Sequence, residues 1–251
     1  MTMLNRRSFV RMLVAIPAYT TAIAAVGQNF EPSDSDGFVP IFDGKTLDGW
    51  EPMPAHTASA WSVQDGVIVG DGDKGIGYLT YKKRDVADLE LKLRYRFPGE
   101  GNSGISVRAR VDETGRRHFQ SYHADLGHVG IGSNVLGAWD FHTPGRTEHA
   151  CFRGSRLVID ENDQPSVSSI EDAVTLKDIR KGDWNAVHLV VKDNRFKFFI
   201  NGKPASEFTE HLPEEKRLVR GMIQLQIHDP GMIVHFKDIY LKLPDTGVSQ
   251  E

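Results

Sequence analysis

The chain has 251 residues, 39% hydrophobic and 25% charged, which is ordinary globular composition and enough for one large β domain or two small ones. Its formal charge of −4, with no basic patch interleaved with aromatics, disfavours nucleic acid as a partner. The single cysteine, Cys151, excludes an internal disulfide and reads as a small buried apolar residue without a catalytic role.

Residues 1–24 have a basic start, a short apolar stretch and small residues at the end, the layout of an export signal. The run NRRSFVR, with Arg6 and Arg7 paired, resembles a twin-arginine signal, and Ala22-Ile23-Ala24 offers a small-x-small cleavage site. The expected destination is therefore periplasmic or secreted, in a bacterium. The apolar stretch is too short for a membrane span. Removing residues 1–24 takes away Arg6, Arg7 and Arg11, so Lys plus Arg falls from 30 to 27 against 34 acids and the charge from −4 to −7. Residues 25–36 read as a polar linker, and one domain is expected over 37–245.

From there the punctuation is that of an all-β protein, short alternating runs separated by Gly, Asp, Asn and Pro. FVPIF (38–42) is a first strand, and WSVQDGVIVGD (61–71) is a hairpin turning at Asp65-Gly66. GYLTY (77–81), LELKLRYRF (89–97), GISVRARV (104–111) and FQSYHADLG (119–127) follow. A long Gly-rich loop is expected over 127–150, with Trp139 and Phe141 in it, and one short helix within 171–182. WNAVHLVVKD (184–193) and RFKFFING (195–202) form a second hairpin, and strands at 222–228 and 233–243 close the domain. About ten short strands with tight turns predict a two-sheet sandwich or a barrel.

The run GMIQLQIHDPG (221–231) alternates strictly. Ile223, Leu225 and Ile227 belong to a core, leaving Gln224, Gln226 and His228 on the opposite face. That face is either simply solvated or suited to a neutral, hydroxyl-rich ligand, because Gln both donates and accepts hydrogen bonds.

Five blocks carry a resemblance: FVPIFDGKTLDGW, WSVQDGVIVG, NSGISVR, DWNAVHLVVKDNRFKFFING and GMIQLQIHDPG, in that order between about residues 37 and 243. Together they resemble the 3-keto-disaccharide hydrolase domain family. The resemblance implies a concanavalin A-like jelly-roll sandwich. It also implies enzymes that cleave glycosides already oxidised to a ketone at sugar carbon 3, some by elimination and hydration and some with a divalent metal. Ile227 stands where the family commonly has Asp, and His123 and Asp125 where Glu or Gln is usual.

The alternation then nominates a site. Asn102, Ser106 and Arg108 share one side of their strand, and Ser121, His123 and Asp125 one side of the next. With Gln224, Gln226 and His228 these rows would line one concave sheet face, provided the three strands share a sheet. Proton abstraction next to a ketone needs a base near neutral pKa, a partner for the carbonyl oxygen and an acid for the leaving oxygen. His123, Asp125 and His228 are the catalytic candidates, one histidine as base. The same three are an alternative ligand set for a divalent metal. Arg108 either stabilises the enolate or pairs with a carboxylate on a neighbouring strand. Trp139 either stacks on a sugar ring or anchors its loop. Asn102, His142, Gln224 and Gln226 complete the expected carbohydrate contacts. A non-catalytic lectin-like module is the competing reading, since fold alone does not separate the two. A glucanase is disfavoured because no Glu-x-Asp-x-x-Glu string occurs.

Overall fold

The computed structural model describes residues 36–132 and 134–244. The expected leader over 1–24, and the linker up to residue 35, lie outside the described residues.

In chain order the strands are β1 (Val39–Pro40), β2 (Trp50–Met53), β3 (Trp61–Gln64), β4 (Val67–Asp71), β5 (Gly77–Tyr81), β6 (Leu89–Arg96), β7 (Asn102–Val111), β8 (Phe119–Gly127) and β9 (Trp139–His142). They continue as β10 (Ala150–Cys151), β11 (Ser155–Ile159), β12 (Pro165–Ser169), β13 (Asn185–Lys192), β14 (Arg195–Ile200), β15 (Lys203–Glu210), β16 (Met222–Ile227) and β17 (Ile233–Lys242). One sheet runs β12-β11-β15-β14-β13-β6-β17-β4-β3, with β1 beside β17. The other runs β10-β9-β8-β7-β16-β5-β2. The fold is thus the two-sheet, concanavalin A-like jelly-roll sandwich implied by the resemblance.

The core lies between the sheets because alternation puts apolar side chains there. In β6, Leu89, Leu91, Leu93 and Tyr95 are buried, and Glu90, Lys92, Arg94 and Arg96 are only partly so. Facing them are Ile105 and Val107 of β7, Tyr122, Ala124 and Leu126 of β8, and Ile223, Leu225 and Ile227 of β16, as expected. Each large apolar side chain so buried contributes roughly 1.5–3 kcal/mol. The Asp65-Gly66 turn between β3 and β4 has φ of 49° and 79°, the pair of positive angles that a two-residue hairpin turn requires.

Three expectations need correction. No helix forms within 171–182. Asp178 accepts from the amide and hydroxyl of Thr175, and Val174 N donates to Pro204 O, so the backbone is held in turns against the neighbouring strand. The stretch 127–150 is not all loop, because β9 pairs with β8 inside it. Strands β2, β10, β11, β12 and β15 also escaped the sequence reading. β12, PSVSS, is exposed throughout and has no apolar face to reveal it.

Candidate active site

β8, β7 and β16 are adjacent in the second sheet, so the three polar rows do meet on one face. Across the strands His123 is level with Ser106, and Ser106 with Gln224; Asp125 faces Gly104, and Gln226 faces Tyr78. The rows are not simply solvated. β16 is buried at every residue, because its inner side meets the core and its outer side is covered.

A hollow of about 450 Å³ opens on this face, lined by Ile76, Tyr78, Asn102, Arg116, Arg117, His118, His123, Asp125, Asp140, His142, Gln226 and His228, with Gly115. That volume falls within the ~300–1,000 Å³ of small-molecule sites. A larger cavity, about 740 Å³, opens around Arg108, Asp88, Lys83 and Arg220 but holds none of these histidines.

His123 forms the floor and is 2% exposed. Its Nδ1 lies 2.9 Å from Ser106 Oγ and its Nε2 3.8 Å from Asp125 Oδ1. Its ring stacks on His142 at 4.8 Å between centroids and 20° between planes. Gly104 makes this possible, since a Cβ there would sit 2.1 Å from His123 Nε2. Burial, and then His142 beside it, hold His123 well below the ordinary histidine pKa, so the ring is neutral.

The two carboxyls of the hollow are pushed apart. Burial, reinforced by the charge of Asp140, raises Asp125 well above the usual range and favours its protonated form. Asp140 is partly exposed and partly desolvated, and its hydrogen bonds to His142, whose Nε2 lies 3.3 Å away, and to the Phe141 amide outweigh the desolvation and keep it ionised. Divergent carboxyls of this kind supply one acid and one fixed charge. At the mouth, the His228 side chain is 40% exposed and its Nδ1 is 2.7 Å from Asp229 Oδ1. Gln226 donates to Tyr78 OH at 3.3 Å, and the buried Asn102 Oδ1 has no partner among the described residues.

Three expected contacts lie elsewhere. Arg108 is turned away by a β-bulge. β7 carries an extra residue there relative to both neighbours, and Arg108 has φ of 51°. Its guanidinium donates to Ala87 O, Leu218 O and Asp88, over the ring of Phe196, so it forms an ion pair, though with a residue just before β6 of the opposite sheet rather than on a neighbouring strand. Ala109 takes its place on the outer face, packed with Tyr78, Phe119 and Met222. Trp139 is fully buried among Phe196, Phe198 and Phe208 and offers no face to a sugar. Gln224 is fully buried, donates to Thr80 Oγ1 at 3.0 Å and does not line the hollow.

Nor do His123, Asp125 and His228 assemble as a metal-ligand set. Among the described residues no three His, Cys, Asp or Glu side chains are grouped so as to hold an ion. The His228 ring is turned to Asp229 instead. Cys151 is buried as expected, its thiol pushed up to about 12 by burial. Asp140, Tyr78 and the rim residues Arg116, Arg117 and His118 were missed. The signal for Asp140 was present, because WDFH alternates, Trp139 and Phe141 inward, Asp140 and His142 outward.

Fold and hollow together define a class: a jelly-roll sandwich whose second sheet cradles a polar, titratable hollow of small-molecule size. Within that class the chain belongs to the 3-keto-alpha-glucoside-1,2-lyase-like domain family, whose model matches residues 37–242. A 3-keto-disaccharide hydrolase of Bacteroides thetaiotaomicron is 34% identical over 89 residues, covering 32% of this chain and 30% of that protein. The chain thus aligns with less than a third of that relative's length. Two Parabacteroides distasonis structures named as glycosyl hydrolases share the fold. One has a TM-score of 0.56 and 18% identity over 84% of this chain and 95% of that one. The other has a TM-score of 0.53 and 17% identity over 82% and 98%. Among the described residues no helix is long and apolar enough to cross a membrane.

Proposed function

We propose that the protein cleaves 3-keto-glycosides by removing the proton at sugar C2. The observation that carries the reading is the hollow itself, where an oriented imidazole, a carboxyl favouring its protonated form and hydroxyl-binding amides converge on one small volume.

The ketone at C3 makes the C2 proton acidic because the resulting negative charge moves onto oxygen. His228 is the base. Asp229 accepts from its Nδ1–H and leaves the Nε2 lone pair free, and the ring is reached from solvent. The C2–H pair first forms the enolate. The enolate then re-forms the carbonyl, closes a C1–C2 double bond and expels the glycosidic oxygen, which takes the proton of Asp125. Water adds back across the double bond, hydroxide to C1 and a proton to C2, so the net change is hydrolysis. Asn102 and Gln226 hold sugar hydroxyls. We place this activity in the periplasm, a location supported by the NRRSFVR leader.

Incubation with an aryl 3-keto-glucoside in deuterated water tests the reading. Release of the phenol with deuterium at C2 of the sugar is expected. Release without deuterium replaces elimination by direct hydrolysis, and binding without release leaves a lectin-like module.

A further inference from the structure

Beneath the hollow lies a line of hydroxyls that the reaction does not touch. Ser121 Oγ is 3.2 Å from Ser106 Oγ, and Ser106 Oγ is 2.9 Å from His123 Nδ1. None of the three residues is more than 2% exposed. Three proton arrangements fit these distances. In one, Ser121 donates to Ser106 and Ser106 donates to His123 Nδ1, so both hydroxyl protons are used. In the other two His123 donates to Ser106, and the proton of either Ser121 or Ser106 is stranded in the interior. A buried donor without an acceptor costs about 1–3 kcal/mol, enough to select the first arrangement.

Resting on the function proposed above, we infer that Ser121 and Ser106 are positioning residues that fix His123 as the Nε2–H tautomer, a hydrogen-bond donor to the C3 oxygen of the substrate. The Nε2 side supports this. It borders the hollow above the bare Cα of Gly104, and Asp125 Oδ1 at 3.8 Å is beyond hydrogen-bond reach. The donor is therefore held ready for a ligand oxygen. A neutral imidazole supplies that donation without a charge to desolvate, and the donation strengthens as negative charge develops on the enolate oxygen. The two histidines then divide the work, His228 taking the proton and His123 stabilising what remains. The charged and titratable groups around the His123 ring are His142, Asp140, His228, Arg117 and Asp125.

The test is long-range ¹H–¹⁵N correlation spectroscopy on the ¹⁵N-labelled full chain, with kinetics on the aryl 3-keto-glucoside. The wild-type protein is expected to show the His123 nitrogen pattern of an Nε2–H tautomer. Ser106→Ala is expected to lose that bias and to lower kcat roughly 10- to 100-fold with KM little changed, the range for groups that orient a functional histidine. Ser121→Ala removes only the donor to Ser106 and is expected to keep the Nε2–H tautomer, with a smaller loss of kcat. An Nδ1–H tautomer in the wild-type protein overturns the inference. So does an unchanged tautomer in Ser106→Ala; should that variant not fold, the tautomer of the wild-type protein decides by itself. A wild-type protein that shows the Nε2–H tautomer yet leaves the 3-keto-glucoside intact retains the hydroxyl chain and loses the enzymatic reading instead.

Discussion

Gly104→Ala isolates the contact on which the floor of the hollow depends. The added Cβ would lie 2.1 Å from His123 Nε2, 2.5 Å from its Cε1 and 2.8 Å from Ala124 O. Ordinary contact begins near 3.4 Å, so the ring must retreat by about 1.3 Å. It has little room, because His142 is stacked against it and Ser106 holds Nδ1. Overpacking of this kind costs about 1–3 kcal/mol. In a domain of this size that lowers Tm by roughly 2–12 °C. A reacting group misplaced by about 1 Å loses on the order of 100-fold in rate. The assay is a double-mutant cycle of thermal melts with His123→Ala. The alanine at 104 should be less costly when the ring is gone, with a coupling of about 0.5–3 kcal/mol. Relief should be partial, since the approach to Ala124 O remains. Equal costs in both backgrounds would show that the bare Cα is not what seats the imidazole.

Arg108→Met should destabilise the fold by about 2–3 kcal/mol, because two backbone carbonyls lose a charged donor, while turnover per folded molecule is unchanged. A selective loss of activity in that variant would return Arg108 to the site. Trp139→Ala should cost about 3–5 kcal/mol in denaturant unfolding, as for any fully buried indole. Weakened ligand binding at full stability would contradict its placement. Asp125→Asn should change how stability depends on pH. The folded pKa is raised, so the stabilising contribution of wild-type Asp125 is complete below the unfolded value of 3.8 and is lost as pH rises through the folded value. The variant should therefore gain on the wild-type protein across that window, and parallel Tm–pH curves would refute the assignment. His123 acts in the opposite sense. Its folded pKa is lowered, so the wild-type protein should lose stability as pH falls below 6.5, where the unfolded ring takes a proton that the folded ring refuses.

Much of this molecule could be read along a line. A period of two sorts each strand into an inner and an outer set, and Ile223, Leu225 and Ile227 went inward as their spacing required. The same period placed His123, Asp125, Gln226 and Asn102 on the outer side, where they now line the hollow. Turn residues such as Asp65-Gly66 announced their hairpin because few other pairs accept two positive φ angles.

What the line could not hold is any interruption of its period and any partner far along the chain. One extra residue in β7 reverses the parity at Arg108 and sends a nominated ligand to the opposite side of the sheet, while Ala109 comes out in its place. Asp140 is set beside His123 only by the pairing of β9 with β8. Trp139 is core because Phe196, Phe198 and Phe208 arrive from the other sheet. Local alternation determined which side chains could share a face. Strand order, a single bulge and the packing of one sheet on the other decided which of them meet, because those depend on contacts between residues that the chain brings together only when it folds.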